Sequence, residues 1–175
     1  MAIAYHNISG ELTQELLAVG DDIKVSSISL TNVDSSVTTV NGIVDLYIEK
    51  RLLGKFYLLK SVSIPVGSTL ILDGDDIKFS TKTNQFGLFI KLTKGTTFTL
   101  TGTIDPTASK TVTGVGTLFL TEVSIGDEIV VSGETRIISS ITSNTSLTVS
   151  VAFSNNANDT TPDCNPVAPI DVIIS

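Results

Sequence analysis

Apolar and polar residues alternate with a period of two along most of the chain, between short clusters of Gly, Asn, Asp, Ser and Pro. A period of two places successive side chains on opposite faces of an extended strand, so the pattern predicts β-structure almost throughout. The clearest predicted strands are Val44 to Ile48, Phe86 to Leu92 and Leu147 to Val151. Each of them is predicted to have one buried face and one solvated face.

Two segments depart from this simple alternation. The apolar positions change parity between Val25 and Ile28, which predicts a β-bulge near Ser26 and Ser27 and a bent strand. The segment from Leu12 to Val19 has the only helix-like spacing, and the glycine that follows it is a helix stop signal. A short helix is therefore predicted there.

Turn-forming sequences separate the predicted strands. Their glycines, asparagines and prolines supply the backbone angles that tight reversals require. Strands of about five to eight residues at such spacing predict a sandwich or a barrel. The predicted turns are Asn41-Gly42, Leu53-Gly54, Pro65 to Ser68, Asp73-Gly74 and Ser132-Gly133.

A change in charge and a terminal strand indicate two domains. Residues 97–163 carry two basic and seven acidic side chains, whereas residues 1–96 and 164–175 together carry nine and eleven. The apolar strand 170–174 follows a turn-rich linker and requires a partner, which we expect in the first segment. We therefore predict an all-β protein: an antiparallel, jelly-roll-like β-sandwich domain (1–96 plus 164–175) with an inserted small β-barrel domain (97–163). Insertion into a loop costs little, because closure entropy grows only logarithmically with loop length.

Composition excludes several function classes. The 175 residues have a net charge of −7, one cysteine, Cys164, and one histidine, His6, which excludes an intrachain disulfide and a zinc site of the Cys/His type. The acidic excess disfavours a nucleic-acid partner, because phosphate binding requires clustered Lys and Arg. No run of eighteen apolar residues is present, and the first basic residue is Lys24, so neither a membrane span nor a secretory signal with a charged start is predicted.

We predict no enzyme, and no catalytic, cofactor or metal residues. No ordered nucleophile motif accompanies His6, so a surface or interface role is expected for it. Asp73 to Asp76 offers three carboxylates but lacks the later Glu of an EF-hand, so a solvated turn is expected in preference to a calcium loop. Cys164, placed in the linker, is expected to be an inert thiol rather than a reactive or interchain one.

A basic and aromatic cluster is the candidate interface. Such a cluster could stack on nucleic acid, but docking on an acidic neighbouring subunit is the expectation here. The predicted interface residues are Lys50, Arg51, Lys55, Phe56 and Tyr57, with Lys60 beside them.

Three motifs in the second segment carry a family resemblance. They are T-G-x-G-T-x-F at 113–119, G-D-x-I-x-V-x-G-E-x-R at 126–136 and S-x-T-S-L-T-V-x-x-A-F at 143–153. Together they resemble a small β module that recurs in structural proteins of tailed bacteriophages. The first segment, through residues 63–72 and 86–90, is similar to short phage virion proteins with a jelly-roll-like sandwich.

The resemblance implies a non-enzymatic virion structural protein, assembled in the bacterial host cytoplasm. Its expected partners are major capsid or tail proteins and further copies of itself, with no nucleic acid, membrane or small-molecule substrate. Capsid decoration or stabilisation is the first expectation, and a tail, neck, baseplate or fibre component is the alternative. A second alternative is a module that binds cell-surface glycan, with Tyr57 as its aromatic contact, although glycan sites commonly add Trp and this chain has none.

Overall fold

In a computed structural model, we describe residues 4–11, 13–35, 40–50, 52–74, 77–155 and 157–175. These residues form antiparallel strands and one four-residue helix, so the predicted all-β class is confirmed. No helix among them is long and apolar enough to cross a membrane.

The chain forms two compact units. The first consists of Met1–Asp34, Asn41–Thr93 and Ala168–Ser175, and the second of Ser35–Val40 and Lys94–Val167. The second unit thus interrupts the first between Thr93 and Ala168. Its two ends lie side by side, because Gly95 N donates to the carbonyl of Pro166 at 2.7 Å.

The first unit contains two four-stranded antiparallel sheets and one two-stranded sheet. Sheet A has the order β1-β17-β4-β7, with β1 Ala4–Ile8, β4 Ser27–Asn32, β7 Thr69–Asp73 and β17 Ile170–Ile174. Sheet B has the order β2-β9-β5-β6, with β2 Thr13–Leu17, β5 Gly42–Lys50, β6 Gly54–Ile64 and β9 Gly87–Thr93. The small sheet joins β3 Lys24–Val25 to β8 Phe79–Ser80.

Sheets A and B pack in a sandwich-like arrangement around a shared core. Alternate residues are buried along most of their strands, such as Ile28 and Leu30 in sheet A and Leu88 and Ile90 in sheet B. Strand β5 departs from the predicted alternation, because its residues 44–47 are buried on both faces. A Cβ atom at Gly42 of β5 would lie 2.6 Å from Cδ1 of Ile170 in β17, so the two sheets are in close contact there and a larger residue would require the Ile170 side chain to move. The predicted alternation is thus present in most strands, and removal of these apolar residues from water stabilises the unit.

The predicted bulge is present at Ser26 and Ser27. Both backbone N–H groups donate to the single carbonyl of Ser175, at 2.7 and 2.9 Å, so two residues oppose one. Before the bulge, β3 pairs with β8; after it, β4 pairs with β17 and β7. The change of parity therefore marks the point where the chain passes from one sheet to another.

The helix predicted from Leu12 to Val19 is wrong. Leu12 lies outside the described residues, and Thr13–Leu17 forms strand β2, which pairs with β9. A segment of this length is too short to be a stable helix by itself. Pairing with β9 satisfies the backbone groups on one side of this end strand, and Leu16 and Leu17 are buried.

The terminal strand pairs with the first unit, as the sequence predicts. β17 lies between β1 and β4 and is in register with both from Ile170 to Ile174. It is in sheet A, whereas β9, the strand that precedes it within this unit, is in sheet B. The connection between the two sheets is the place where the second unit is inserted.

The second unit is built on a seven-stranded sheet of order β10-β16-β13-β14-β15-β12-β11. This sheet has two end strands, and none of the sheets formed by the described residues closes into a barrel. Helix α1 contributes Phe119, the largest fully buried side chain of the core. The elements are β10 Phe98–Thr99, β11 Thr103–Asp105, β12 Thr111–Val115, α1 Phe119–Glu122, β13 Glu128–Val131, β14 Glu134–Ser143, β15 Ser146–Val149 and β16 Asp163–Asn165.

Two details of the second unit differ from the sequence prediction. The strand predicted to reach Val151 ends at Val149, and Val151 is exposed. Cys164, expected in a linker, lies in strand β16, which pairs with β10 and β13. The reason is that two neighbouring strands satisfy the backbone of this polar and proline-rich stretch, a long-range pairing that composition does not reveal.

Candidate functional site

The hairpin formed by β5 and β6 carries the predicted interface residues and divides them between two faces. Residues opposite each other in an antiparallel pair share a face. Tyr57 is opposite Tyr47 and Lys55 is opposite Glu49, whereas Phe56 is opposite Ile48 on the other face. Lys50, two residues after Ile48, shares the face of Phe56, and Arg51 lies outside the described residues.

One of these faces, here called the lysine–aromatic face, consists of Tyr47, Tyr57, Phe89, Lys55 and Lys60. The Tyr47 ring lies between the other two rings, with its centroid 5.5 Å from each, and is nearly parallel to Phe89. The Nζ atoms of Lys55 and Lys60 lie 4.4 Å from the ring centroids of Tyr47 and Tyr57, respectively. These are favourable cation–π distances, so both lysines are held along the sheet surface.

A buried carboxylate fixes one end of this face. Asp45 accepts hydrogen bonds from Lys60 Nζ at 2.9 Å and from the backbone N–H of Ser61 at 2.7 Å. Ser61 has a φ of 51° at a register shift in the hairpin, which turns its N–H toward the carboxylate. Burial alone would raise the pKa of Asp45, but these two hydrogen bonds and the lysine charge lower it below its usual value.

Two lysine pKa values on this face are raised for related reasons. The pKa of Lys60 is raised chiefly by its hydrogen bond to Asp45, and that of Lys55 chiefly by the Tyr47 hydroxyl, which accepts from Nζ at 3.2 Å. Both side chains therefore remain cationic at neutral pH. The face offers aromatic surface and fixed positive charge together.

The lowered pKa of Asp45 predicts acid sensitivity of the first unit. A carboxylate with a depressed folded-state pKa stabilises the fold at pH values above its unfolded pKa, about 3.9, and that stability is lost as pH falls through the lower folded value. We expect Asp45→Asn to reduce the urea midpoint at pH 7 and to flatten its decline below about pH 4. Urea unfolding at several pH values measures this. An identical acid dependence in wild type and variant would contradict it, and Asp22→Asn, at an exposed carboxylate, is the control.

The turn of the same hairpin exposes apolar side chains. This hairpin tip consists of Leu52, Leu53 and Phe56. Leu52 is 96% and Leu53 64% exposed, and Phe56 is half-exposed with its ring edge against Phe86. Leu52 has a φ of 72°, a conformation that costs a residue with a side chain about 1 kcal/mol or more. Lys50 flanks the tip, with Nζ 5.5 Å from the Phe86 ring centroid.

A second apolar surface lies on the exposed face of sheet A. Tyr5, Ile173, Ser29 and Ile71 are successive partners across the four strands, and we call them the outer row. Tyr5 is 68% and Ile71 60% exposed. The next row along the strands is polar: Asn7 donates to Asp171 at 2.6 Å, and the Thr31 and Thr69 hydroxyls are hydrogen-bonded to each other at 2.9 Å.

The remaining candidates of the sequence analysis are His6, Cys164 and the turn from Asp73 to Asp76. His6, half-buried in β1 opposite Val172, has an Nε2 atom without a hydrogen-bond partner among the described residues. Cys164 is fully buried, and burial raises the pKa of its thiol. Asp73 ends β7, and Asp75 and Asp76 lie outside the described residues. Within the described ranges, no group of three or more His, Cys, Asp or Glu residues is placed to hold a metal ion.

Sequence reasoning missed several of these residues. Asp45, Tyr47 and Phe89 alternate with core residues and were expected to be solvated, but Asp45 and Tyr47 are only 8% and 3% exposed and Phe89 is half-buried. Leu53 was interpreted only as part of a turn, and Leu52 was not singled out. Two adjacent leucines in a turn are the available signal, because turns ordinarily carry polar residues.

No family model, curated protein or solved structure matches this chain. The fold and its surfaces define only a class, an antiparallel, sandwich-like all-β protein with exposed apolar and cationic surfaces.

Proposed function

We propose that this chain is a non-enzymatic structural subunit of a tailed-phage virion that acts by binding neighbouring copies and other virion proteins. The observation that carries the proposal is the exposed apolar surface of the first unit, at the hairpin tip and in the outer row. Large apolar side chains grouped on a surface favour a protein partner, because burial in an interface removes them from water.

The strand pairing supports a jelly-roll-like assignment for the first unit. Among its eight main strands, the first pairs with the last (β1 with β17) and the second with the seventh (β2 with β9). The third pairs with the sixth (β4 with β7) and the fourth with the fifth (β5 with β6). This is the pairing of one long hairpin rolled into two four-stranded sheets, the architecture found in viral capsid domains.

For the second unit we propose a barrel-like module that is incompletely closed. β14 pairs with β13 along its first half and with β15 along its second half, so the sheet bends at this strand. The end strand β11 is bridged at Ile104 to Asp159, whose carboxylate accepts from Ser132 N in the β13–β14 turn. Asp159 thereby links the two parts of the bent sheet, which supports the assignment.

Charge supports assembly through subunit contacts. Residues 94–167 contain three basic and seven acidic side chains, a net charge of −4, whereas residues 42–64 of the β5–β6 hairpin contain four basic and two acidic side chains, a net charge of +2. Surfaces of opposite sign on one chain favour contact between copies and fix their orientation. We rank capsid decoration or stabilisation first and a tail, neck, baseplate or fibre position second.

Purified particles of the phage that encodes this chain test the proposal. Quantitative mass spectrometry is expected to detect the chain at a constant ratio to the major capsid protein after gradient purification. A copy number per particle that matches the icosahedral symmetry of the capsid supports decoration, whereas a copy number that matches threefold or sixfold symmetry supports a tail position. An abundant host protein measured in parallel gives the background. A signal no higher than this background would contradict the proposal.

A further inference from the structure

We infer that the hairpin tip of one copy binds the outer row of a second copy in a head-to-tail contact. The inference deepens the proposed function and rests on it, since it names one of the contacts by which the subunits assemble. Both surfaces lie on the first unit, and they differ in shape and in charge.

The hairpin tip is a protruding apolar knob. β5 and β6 extend to the turn, and Leu52 at its end has almost no contact with the rest of the chain. Leu52 combines a strained positive φ with full exposure, two unfavourable features at one residue. Such local conflicts concentrate at functional positions, where a partner compensates for them. Burial of Leu52 and Leu53 in a partner would remove most of their apolar area from water.

The outer row is a shallow receptor for this knob. Ser29 lies between Ile173 and Ile71, and its short side chain leaves a notch between two larger ones. Tyr5 extends the apolar surface at the β1 edge. A leucine side chain fits a notch of this kind, bordered by aliphatic groups on both sides.

Charge complementarity identifies the occupant of the outer row. None of the four strands of sheet A contains Lys or Arg, and the rows on either side of the outer row carry Asp171 and Asp73. Lys50 and Lys55 flank the hairpin tip together with a single acidic residue, Glu49, which is opposite Lys55, so the described charges beside the tip are net positive. The hairpin tip, with lysines beside it, is thus complementary in charge to the outer row, with aspartates beside it, and the same chain has both surfaces.

The same charges disfavour symmetric pairing. Two tips in contact would bring together the lysines of both copies, and two outer rows would bring together their aspartates. The contact is therefore heterologous, and it generates a closed ring or an open chain of copies. The tip offers few side chains compared with a standard interface, so each contact is weak and ring closure adds to the affinity.

Sedimentation velocity of the full chain tests the inference with two charge variants, Leu52→Asp at the tip and Ile71→Asp in the outer row. The wild-type chain is expected to self-associate with rising concentration, and less so at high ionic strength. Each variant alone is expected to weaken association by about tenfold or more. Val115→Asp, at a residue 72% exposed in the second unit, is the matched control and is expected to change nothing.

Mixing the two variants separates head-to-tail from symmetric contact. In an equimolar mixture, the Ile71→Asp variant has an intact tip and the Leu52→Asp variant has an intact outer row. These two surfaces are expected to bind each other and form heterodimers. Nothing larger is expected, because the other tip and the other outer row are both altered. Absence of heterodimers at the highest soluble concentration of the mixture, undiminished association of either variant alone, or a wild-type chain that is monomeric at its highest soluble concentration would each overturn the inference. Detection of the chain in particles is a separate measurement, so failure of the contact and failure of the virion proposal are distinguishable.

Discussion

Deletion of residues 170–175 is expected to unfold the first unit. β17 is an interior strand of sheet A, hydrogen-bonded to β1 on one side and to β4 on the other. It buries Ile170, Val172 and Ile174 almost completely, each worth about 1.5–3 kcal/mol. Their sum, with the lost sheet hydrogen bonds, is comparable to the total stability of about 5–15 kcal/mol of a typical domain. Loss of the cooperative urea transition of this unit measures the effect.

The matched variant replaces residues 94–167 with a short Gly/Ser linker and retains β17. Since Gly95 and Pro166 are hydrogen-bonded neighbours, a short linker spans the two cut ends. We expect this variant to keep a cooperative transition and the circular dichroism of a β protein. The interrupted organisation of the first unit would be contradicted if the variant that lacks residues 170–175 folds and the variant with a linker in place of residues 94–167 does not.

Asp127→Ala is expected to destabilise the second unit by about 2–4 kcal/mol. The Asp127 carboxylate is buried and accepts from Ser124 N at 2.8 Å and from Val167 N at 2.7 Å, with Cys164 Sγ at 3.8 Å. Alanine would leave the buried N–H of Val167 and the partly buried N–H of Ser124 without these acceptors. Because Val167 is the last residue of this unit, the substitution also frees its closing segment.

Urea unfolding of the full chain measures the effect of Asp127→Ala on the second unit. Asp105→Ala, at an exposed carboxylate in β11, is the control and is expected to stay within about 0.5 kcal/mol of wild type. Asp127→Asn retains one acceptor oxygen, so we expect an intermediate loss. A stability of Asp127→Ala equal to that of the control would contradict the structural role of this carboxylate.

Local pattern predicted the strands and the bulge. Alternation over Val44 to Leu46 and Leu88 to Leu92 corresponds to real strands, because one face of each is in the core. The parity change at Ser26 and Ser27 located a bulge, since an extra residue in a strand shifts every later side chain to the opposite face. These features depend on neighbours in sequence.

Features that depend on distant residues were not predictable in the same way. Thr13–Leu17 is a strand because β9 pairs with it, and Cys164 is buried because β10 and β13 enclose it. The same limit applies to the candidate site. Lys55 and Phe56 are adjacent in sequence but lie on opposite faces of the hairpin, while Tyr47 and Phe89, far apart in sequence, stack on each other.

A cryo-EM map of the intact particle, with this chain located and its copies counted, tests the virion proposal most directly. The proposal predicts density for both β units at symmetry-related positions, with the first unit in contact with neighbouring subunits. Positions on the shell lattice agree with decoration, and positions around the tail axis agree with the alternative. A complete map of the particle with no density for this chain would contradict the proposal.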